Sequence, residues 1–344
     1  MPTAGDVPAL IDDALAAFAE LWTVHFTIVI PMGTAMQLFD EFHVDVFGGG
    51  EEDGHPLLAG QLTGSVRATF GLSDLAARAR ELGLAPTMLE NGEQEALEAL
   101  ATTPAGREFL DDLDAYLVDY GLRQDLFDLA TPTWREQPTL AIMNVRNYLR
   151  TGIDARSHHA QIQGRAKAAI DQARARLDSY PQPVREQFGV FLAMAQAGSF
   201  LQEEHNFYID QVGISLLRLF FVAVGQRLVE GGAIDAPEDV FFLSLDEIRA
   251  ALAEPASLRD TVATRRRGLD VAQSFTPPPF LGTPPDGPPS TATPGERSMV
   301  RPLRGRTIRI GSSGIPARGE PPPVSRGWSG PSTRPARCSP GKSW

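Results

Sequence analysis

Five residues have the types and spacing to hold a hydroxyl group and take its proton: His25, Glu204, His205, Tyr208 and Gln211. His25 lies in Leu21–Phe39, LWTVHFTIVIPMGTAMQLF, a stretch without Asp, Glu, Lys or Arg. A histidine in such surroundings is either a core residue with one hydrogen-bond partner or the lining of a pocket. The other four lie in Phe200–Glu230, FLQEEHNFYIDQVGISLLRLFFVAVGQRLVE. Glu204, Tyr208, Gln211 and Ser215 follow the i, i+4, i+7, i+11 pattern of one helical face. A polar stripe on an otherwise apolar helix is a solvated edge or the wall of a pocket. In a pocket, Glu204 and Gln211 would orient a hydroxyl acceptor and Tyr208 would stack on it. His25 or His205 would then serve as general base.

Other chemistries lack their residues. No glycine loop follows a strand, so no dinucleotide fingerprint forms, and SPGKS at 339–343 has Ala336 where a phosphate loop needs its first glycine. HExxH is absent. A di-iron bundle needs Glu-x-x-His, but Gln202 stands three before His205, and Glu52-x-x-His55 falls in a glycine-rich loop. His158 and His159 are adjacent and would diverge by about 100° on a helix. No metal site and no catalytic residue is therefore expected.

Helices must position the five residues. Phe200–Glu230 has no proline, and Phe207, Ile214, Leu217, Phe221, Val224 and Leu228 recur at helical spacing, so it reads as one long central helix. Val7–Glu20, with Asp6 as N-cap, runs toward Leu21–Phe39, expected to be a buried bundle helix kinked at Pro31 rather than a membrane span. A glycine-rich acidic loop follows at Gly48–Pro56. Further helices are expected at Leu57–Ala68, Leu72–Leu82, Glu93–Ala101, Pro104–Gly121, Thr139–Arg150, His158–Tyr180, Leu245–Leu252 and Leu258–Ser274, with an irregular ordered segment around Trp134. The fold class is all-α: a multi-helix bundle around one long central helix, with a disordered Pro/Arg-rich C-terminal tail. The boundaries are 1–275 for the helical domain, 276–305 for a Pro-rich linker and 306–344 for the tail.

The 344-residue chain carries a net charge of -12 and one cysteine, Cys338. No internal disulfide can form, which fits a cytoplasmic location. The charge is uneven. Residues 288–344 hold ten Lys or Arg against two acids, leaving 21 basic and 41 acidic residues before them. An ordered part at a net of -20 argues against nucleic acid or an anionic membrane surface as partner.

The central helix and its exit, EEHNFYIDQ…LLRLFFVAVGQRLVEGGAIDAPEDVFFLSLDEIRAAL, resemble the phosphoenolpyruvate synthase and rifampicin phosphotransferase group of PEP-utilising enzymes. The similar part is the helical domain between that group's ATP-grasp module and its swivelling phosphohistidine module. LWTVHFTIVIP…LFDEF and YGLRQDLFDLATPTWREQP fit the same domain, so the resemblance covers about residues 10–285. It implies a helical domain that holds a small-molecule phosphate acceptor in a kinase-type transferase. ATP and Mg would act only through ATP-grasp and phosphohistidine domains supplied elsewhere, and no cofactor is expected in this chain. No ATP-grasp module precedes the helices, no Ser-His-Ala glycine loop occurs, and no histidine follows His205. The expectation is a truncated phosphotransferase, inactive alone. With GC-rich codons, a shifted frame of PSTRPARCSPGKS would read as ALDEAGQVLPGEV, similar to the start of the mobile domain, so residues 306–344 are a candidate frameshift product. The alternatives are a non-catalytic helical binding or scaffold module and a gene remnant.

Overall fold

The computed structural model describes residues 7–277. The Pro-rich linker and tail expectations from residue 278 onward, and the Asp6 cap, lie outside the described residues. Within them every regular element is helical, as expected. Eleven α-helices occur: α1 (Val7–Phe47), α2 (Gly64–Glu81), α3 (Ala85–Glu90), α4 (Glu93–Ala101), α5 (Pro104–Tyr120), α6 (Thr139–Thr151), α7 (Ala155–Leu177), α8 (Gln182–His205), α9 (Ile214–Glu230), α10 (Leu245–Ala253) and α11 (Arg259–Gln273). Short 3₁₀ segments cover Glu51–Leu57 and Pro237–Phe242, and a π-helical segment covers Asn206–Gly213.

Two helices organise these elements. α8, the π segment and α9 run on as one helix of 49 residues, Gln182–Glu230, roughly 70 Å long. The central helix is thus longer than Phe200–Glu230, because Pro181 lies at the N-cap and Pro183 in the first turn, where a proline costs no hydrogen bond. α1 is 41 residues and passes through Pro31 without ending. The pair is antiparallel. Val7 and Ile11 pack with Leu217, Phe221 and Leu228 of α9, while Phe39 and Phe42 meet Phe188 and Phe191 of α8. At the crossing a Cβ on Gly198 would lie 2.9 Å from the Met32 carbonyl oxygen, so glycine lets the backbones approach.

Three apolar clusters flank this pair. One joins α2 to α6 through Met88, Phe109, Leu113, Trp134 and Ile142. The second wraps α9 with the 3₁₀ turn, α10 and α11, and the third packs α7 and the start of α8 on the end of α1. Caps fix several boundaries: Thr103 accepts from the Gly106 amide, Asp154 from Ser157, and Ser244 and Glu247 form a reciprocal box. The distinctive phrase PEDVFF is a structural corner. Asp239 accepts from the Ala236 amide at 3.1 Å and pairs with Arg266, while Arg265 holds both oxygens of Glu247.

Three expectations need correction. The helix expected from Leu57 begins at Gly64, because Thr63 accepts from the Val66 amide and starts it there. The Gly48–Pro56 loop contains a 3₁₀ segment from Glu51. Above all, Leu21–Phe39 is not a buried helix. Both long helices are long and apolar enough to cross a membrane, and only 6% of α1's most apolar window is buried. Val24, Phe26 and Ile30 are 51%, 65% and 65% exposed. The threonines of this stretch turn back on their own helix: the Thr23, Thr27 and Thr34 hydroxyls donate to the carbonyls of Ala19, Thr23 and Ile30. Apolar composition here marks a face that nothing among the described residues covers.

Candidate functional site

The π segment sets the geometry. A π-helix bonds i to i+5, so residues five apart share a face. Gln211 Nε2 accordingly donates to Asn206 Oδ1 at 3.0 Å. The same spacing turns His205 and Asp210 toward each other, with His205 Nε2 3.8 Å from Asp210 Oδ2. α1 supplies the third member. His25 Nδ1 lies 3.0 Å from Asp210 Oδ1, and its ring centroid is 4.9 Å from that of His205. Trp22 and Phe26 wall the His25 ring at 4.6 and 5.1 Å. The three side chains are 14% (His25), 8% (His205) and 14% (Asp210) exposed.

Hydrogen bonding in this cluster is incomplete. His205 Nδ1 lies 2.9 Å from the Leu201 carbonyl, which makes Nδ1 a proton-bearing nitrogen; in the neutral ring Nε2 then has the lone pair. His25 Nδ1 and Asp210 Oδ1 make an ion-pair contact at 3.0 Å but no hydrogen bond, and both atoms are buried without a hydrogen-bond partner. Gln211 Oε1 and Ser215 Oγ beneath them are also unpartnered. Among the described residues no Lys or Arg pairs with Asp210.

The five expected residues have separate surroundings. His25 and His205 meet directly. Glu204 points to the start of α2, where it accepts from the Gly64 amide at 2.6 Å and lies 3.6 Å from Arg67. A carboxylate at a helix N-terminus is favoured by the free amides and the dipole. Tyr208 is half exposed and packs edge-on against Phe207. Gln211 serves Asn206, while Ser215 is fully buried. A stripe counted at 3.6 residues per turn is broken up by the wider π turns. Asp210, absent from the expected set, takes the central place. Its signal was the five-residue spacing of His205 to Asp210, repeated by Asn206 to Gln211.

An apolar groove lies between the same two helices. Ala14, Ala17, Phe18 and Leu21 of α1 face Gly213, Leu216, Leu217 and Phe220 across a cavity of about 200 Å³. Leu21 is one helical turn from His25, and Gly213 is three residues from Asp210. A Cβ on Gly213 would approach Leu21 Cδ1 to 3.2 Å, so glycine keeps the groove's inner end narrow but open. Phe220 continues into a second cavity of about 420 Å³ lined by Val7, Leu10, Val224 and Arg227.

Known proteins share this domain. The family model for the rifampicin phosphotransferase fourth domain matches residues 24–203. The chondramide synthase of Chondromyces crocatus is 33% identical over 282 residues, covering 77% of this chain and 7% of that protein. The uncharacterized phosphotransferase YvkC of Bacillus subtilis is 28% identical over 284 residues, covering 79% of this chain and 34% of the relative. A rifampicin phosphotransferase of Streptomyces sviceus is 26% identical over 200 residues, covering 55% and 22%. The chain thus spans about a third or less of the length of these relatives. The match takes in His25 and ends two residues before His205. With its fold all helical and more than half of its length matched, the chain belongs to the family of the rifampicin phosphotransferase fourth domain.

Proposed function

We propose that these helices form the acceptor-holding domain of a phosphotransferase system. The carrying observation is the cluster of His25, His205 and Asp210 between α1 and the long helix, with an apolar groove lined by Leu21 and Gly213 one turn away along the same helices. An apolar acceptor would lie along Leu21, Leu216 and Phe220 and present a hydroxyl to the cluster. His25, beside Asp210, would take the hydroxyl proton as a phosphoryl group arrives. Transfer of that kind depends on positioning and on neutralising charge. The phosphoryl donor, with its ATP, Mg and phosphohistidine, would come from other domains or chains, in a cytoplasmic setting. The family match and the relatives named as phosphotransferases support this reading.

Rifampicin, named in one of these relatives, is the first probe. Calorimetric titration of the chain is expected to show saturable 1:1 binding. Leu216→Asp should abolish it, because Leu216 is 52% exposed on the groove wall and a charge there leaves the core intact. Binding that is equal in the two proteins would remove the groove as the acceptor site. A non-catalytic scaffold is the second reading, favoured by the uncovered apolar face of α1. It predicts no binding of rifampicin by either protein.

A further inference from the structure

We propose that His25, His205 and Asp210 bind one divalent transition-metal ion, with zinc as the best fit. The site does not depend on the acceptor reading, since an ion here would tie α1 to the long helix whatever the groove holds; with Nδ1 on the ion His25 could not also serve as base, and a hydroxyl would be activated at the ion's open position instead. Three observations carry it.

The first is geometry. The ligand atoms of the three residues all lie within 4.8 Å of one another. His25 Nδ1 is 3.0 Å and His205 Nε2 3.8 Å from the two Asp210 oxygens. Donor atoms about 2.0–2.2 Å from a tetrahedral zinc stand about 3.4 Å apart, so small side-chain rotations suffice. Two imidazoles and a carboxylate form a three-ligand set that suits zinc and leaves a fourth position for water or a hydroxyl.

The second is the hydrogen-bond pattern. His205 commits Nδ1 to the Leu201 carbonyl, as a ligating histidine usually commits its other nitrogen, and has Nε2 on the Asp210 side. His25 Nδ1 and Asp210 Oδ1 are buried and 3.0 Å apart without a hydrogen bond. Asp210 has two imidazoles and, among the described residues, no Lys or Arg beside it, a set that can share one bound cation.

The third is the backbone. An α-helix chelates through positions three or four apart, and His205 has Leu201, Gln202, Tyr208 and Ile209 there, none of them a histidine, cysteine or carboxylate. The π segment replaces that spacing with five, placing Asp210 beside His205. π turns frequently mark functional sites.

The test uses the full chain without an affinity tag, dialysed against chelator and titrated with Co²⁺. Expected are one Co²⁺ per chain, ligand-field absorption of low coordination number, and displacement by Zn²⁺. Asp210→Asn and His25→Gln should weaken Co²⁺ at least tenfold while helical circular dichroism is kept. His55→Gln, at a half-exposed histidine outside the cluster, should bind as the unaltered protein does. If either cluster variant misfolds, zinc-edge X-ray absorption of the unaltered protein decides, with two imidazole ligands expected. Three results would overturn the proposal: no stoichiometric Co²⁺ binding, an absorption spectrum without imidazole ligands, or binding lost in H55Q and kept in D210N. Leu216→Asp should leave Co²⁺ binding intact, so failure of the groove and failure of the ion site are separately visible.

Discussion

The 49-residue helix carries two buried charged clusters eight residues apart, and they are finished differently. Around Arg218 every group is satisfied. Its guanidinium is 1% exposed, meets both oxygens of Glu136 at 2.9 and 3.0 Å, donates to the Leu129 carbonyl at 2.9 Å and lies 5.1 Å from the Phe241 ring. Glu136 also accepts from the Thr133 amide and hydroxyl. That network pins the irregular 121–138 segment and the PEDVFF corner onto α9. Around Asp210 the reverse holds: buried atoms face one another and several remain unpartnered. A closed polar network specifies a fold. An open one, held in a π segment, leaves buried polar atoms without hydrogen-bond partners.

The largest effect should come from opening the closed network. Glu136→Ala leaves the Arg218 charge buried and is expected to cost about 3–5 kcal/mol in urea unfolding. Arg218→Met combined with it should cost less than the sum of the two single changes. The pH dependence follows from Glu136. Burial pushes its pKa up, but bonds from Arg218 and Thr133 outweigh this and hold it below its ordinary 4.5. A depressed carboxylate contributes stability above 4.5 that is lost as pH falls through the folded value. The difference between the unaltered protein and Glu136→Gln should therefore shrink below pH 4.5. A difference that is constant across that range would refute the role given to the pair.

Gly225→Ala should rank next. A Cβ there would come within 2.0 Å of the Pro237 carbonyl oxygen, and backbone must shift to relieve it. The PEDVFF corner, which sets Phe241 over Arg218, would be displaced. A loss of about 1–3 kcal/mol is expected. Thermal unfolding unchanged from the unaltered protein would show that the corner is not seated as described.

Legibility in the sequence divides along the same line. α4, α5, α6, α10 and α11 match their expected spans to within a residue or so, because caps and prolines act locally: Thr103 before Pro104, Ser244 with Glu247. The all-helical class followed from apolar spacing. The exposure of Val24, Phe26 and Ile30 could not be read, since hydropathy records what a side chain avoids and not what covers it. Asp210 was hidden because helical periodicity assumes 3.6 residues per turn, whereas the π turns at 206–213 put partners five apart. His25 and His205 were legible as residue types in an apolar setting, their meeting only as a pocket between two helices.

Asp210→Asn tests the open cluster directly. In chelator at neutral pH the change is expected to shift unfolding free energy by no more than about 1 kcal/mol, in either direction. It removes a buried charge that lacks a full partner and leaves the side chain's shape. A loss as large as that of Glu136→Ala would mean that Asp210 is a structural ion-pair partner, and the contrast between the clusters would collapse.

The smallest effect should come from His43, an incomplete histidine without ligand company. It lies on α1 eighteen residues beyond His25, is 7% exposed, and packs against Phe39 and Phe47 with Nδ1 unpartnered. Burial lowers its pKa below 6.5; Asp53 and Asp40 raise it, Arg176 lowers it, and burial prevails. Its folded state thus prefers neutral imidazole, and the unfolded chain binds the proton more readily. The stability it contributes is complete above pH 6.5 and is lost as pH falls through the folded value. His43→Leu should remove that loss, so urea midpoints at pH 7.5 and 5.5 should lie closer together than in the unaltered protein. His55→Gln, at an exposed histidine 3.6 Å from Asp40, supplies the control and should not narrow the gap. If His43→Leu leaves the gap unchanged, burial does not govern His43; what separates His25 from His43 is its company of His205 and Asp210, not an unpartnered nitrogen, which both share.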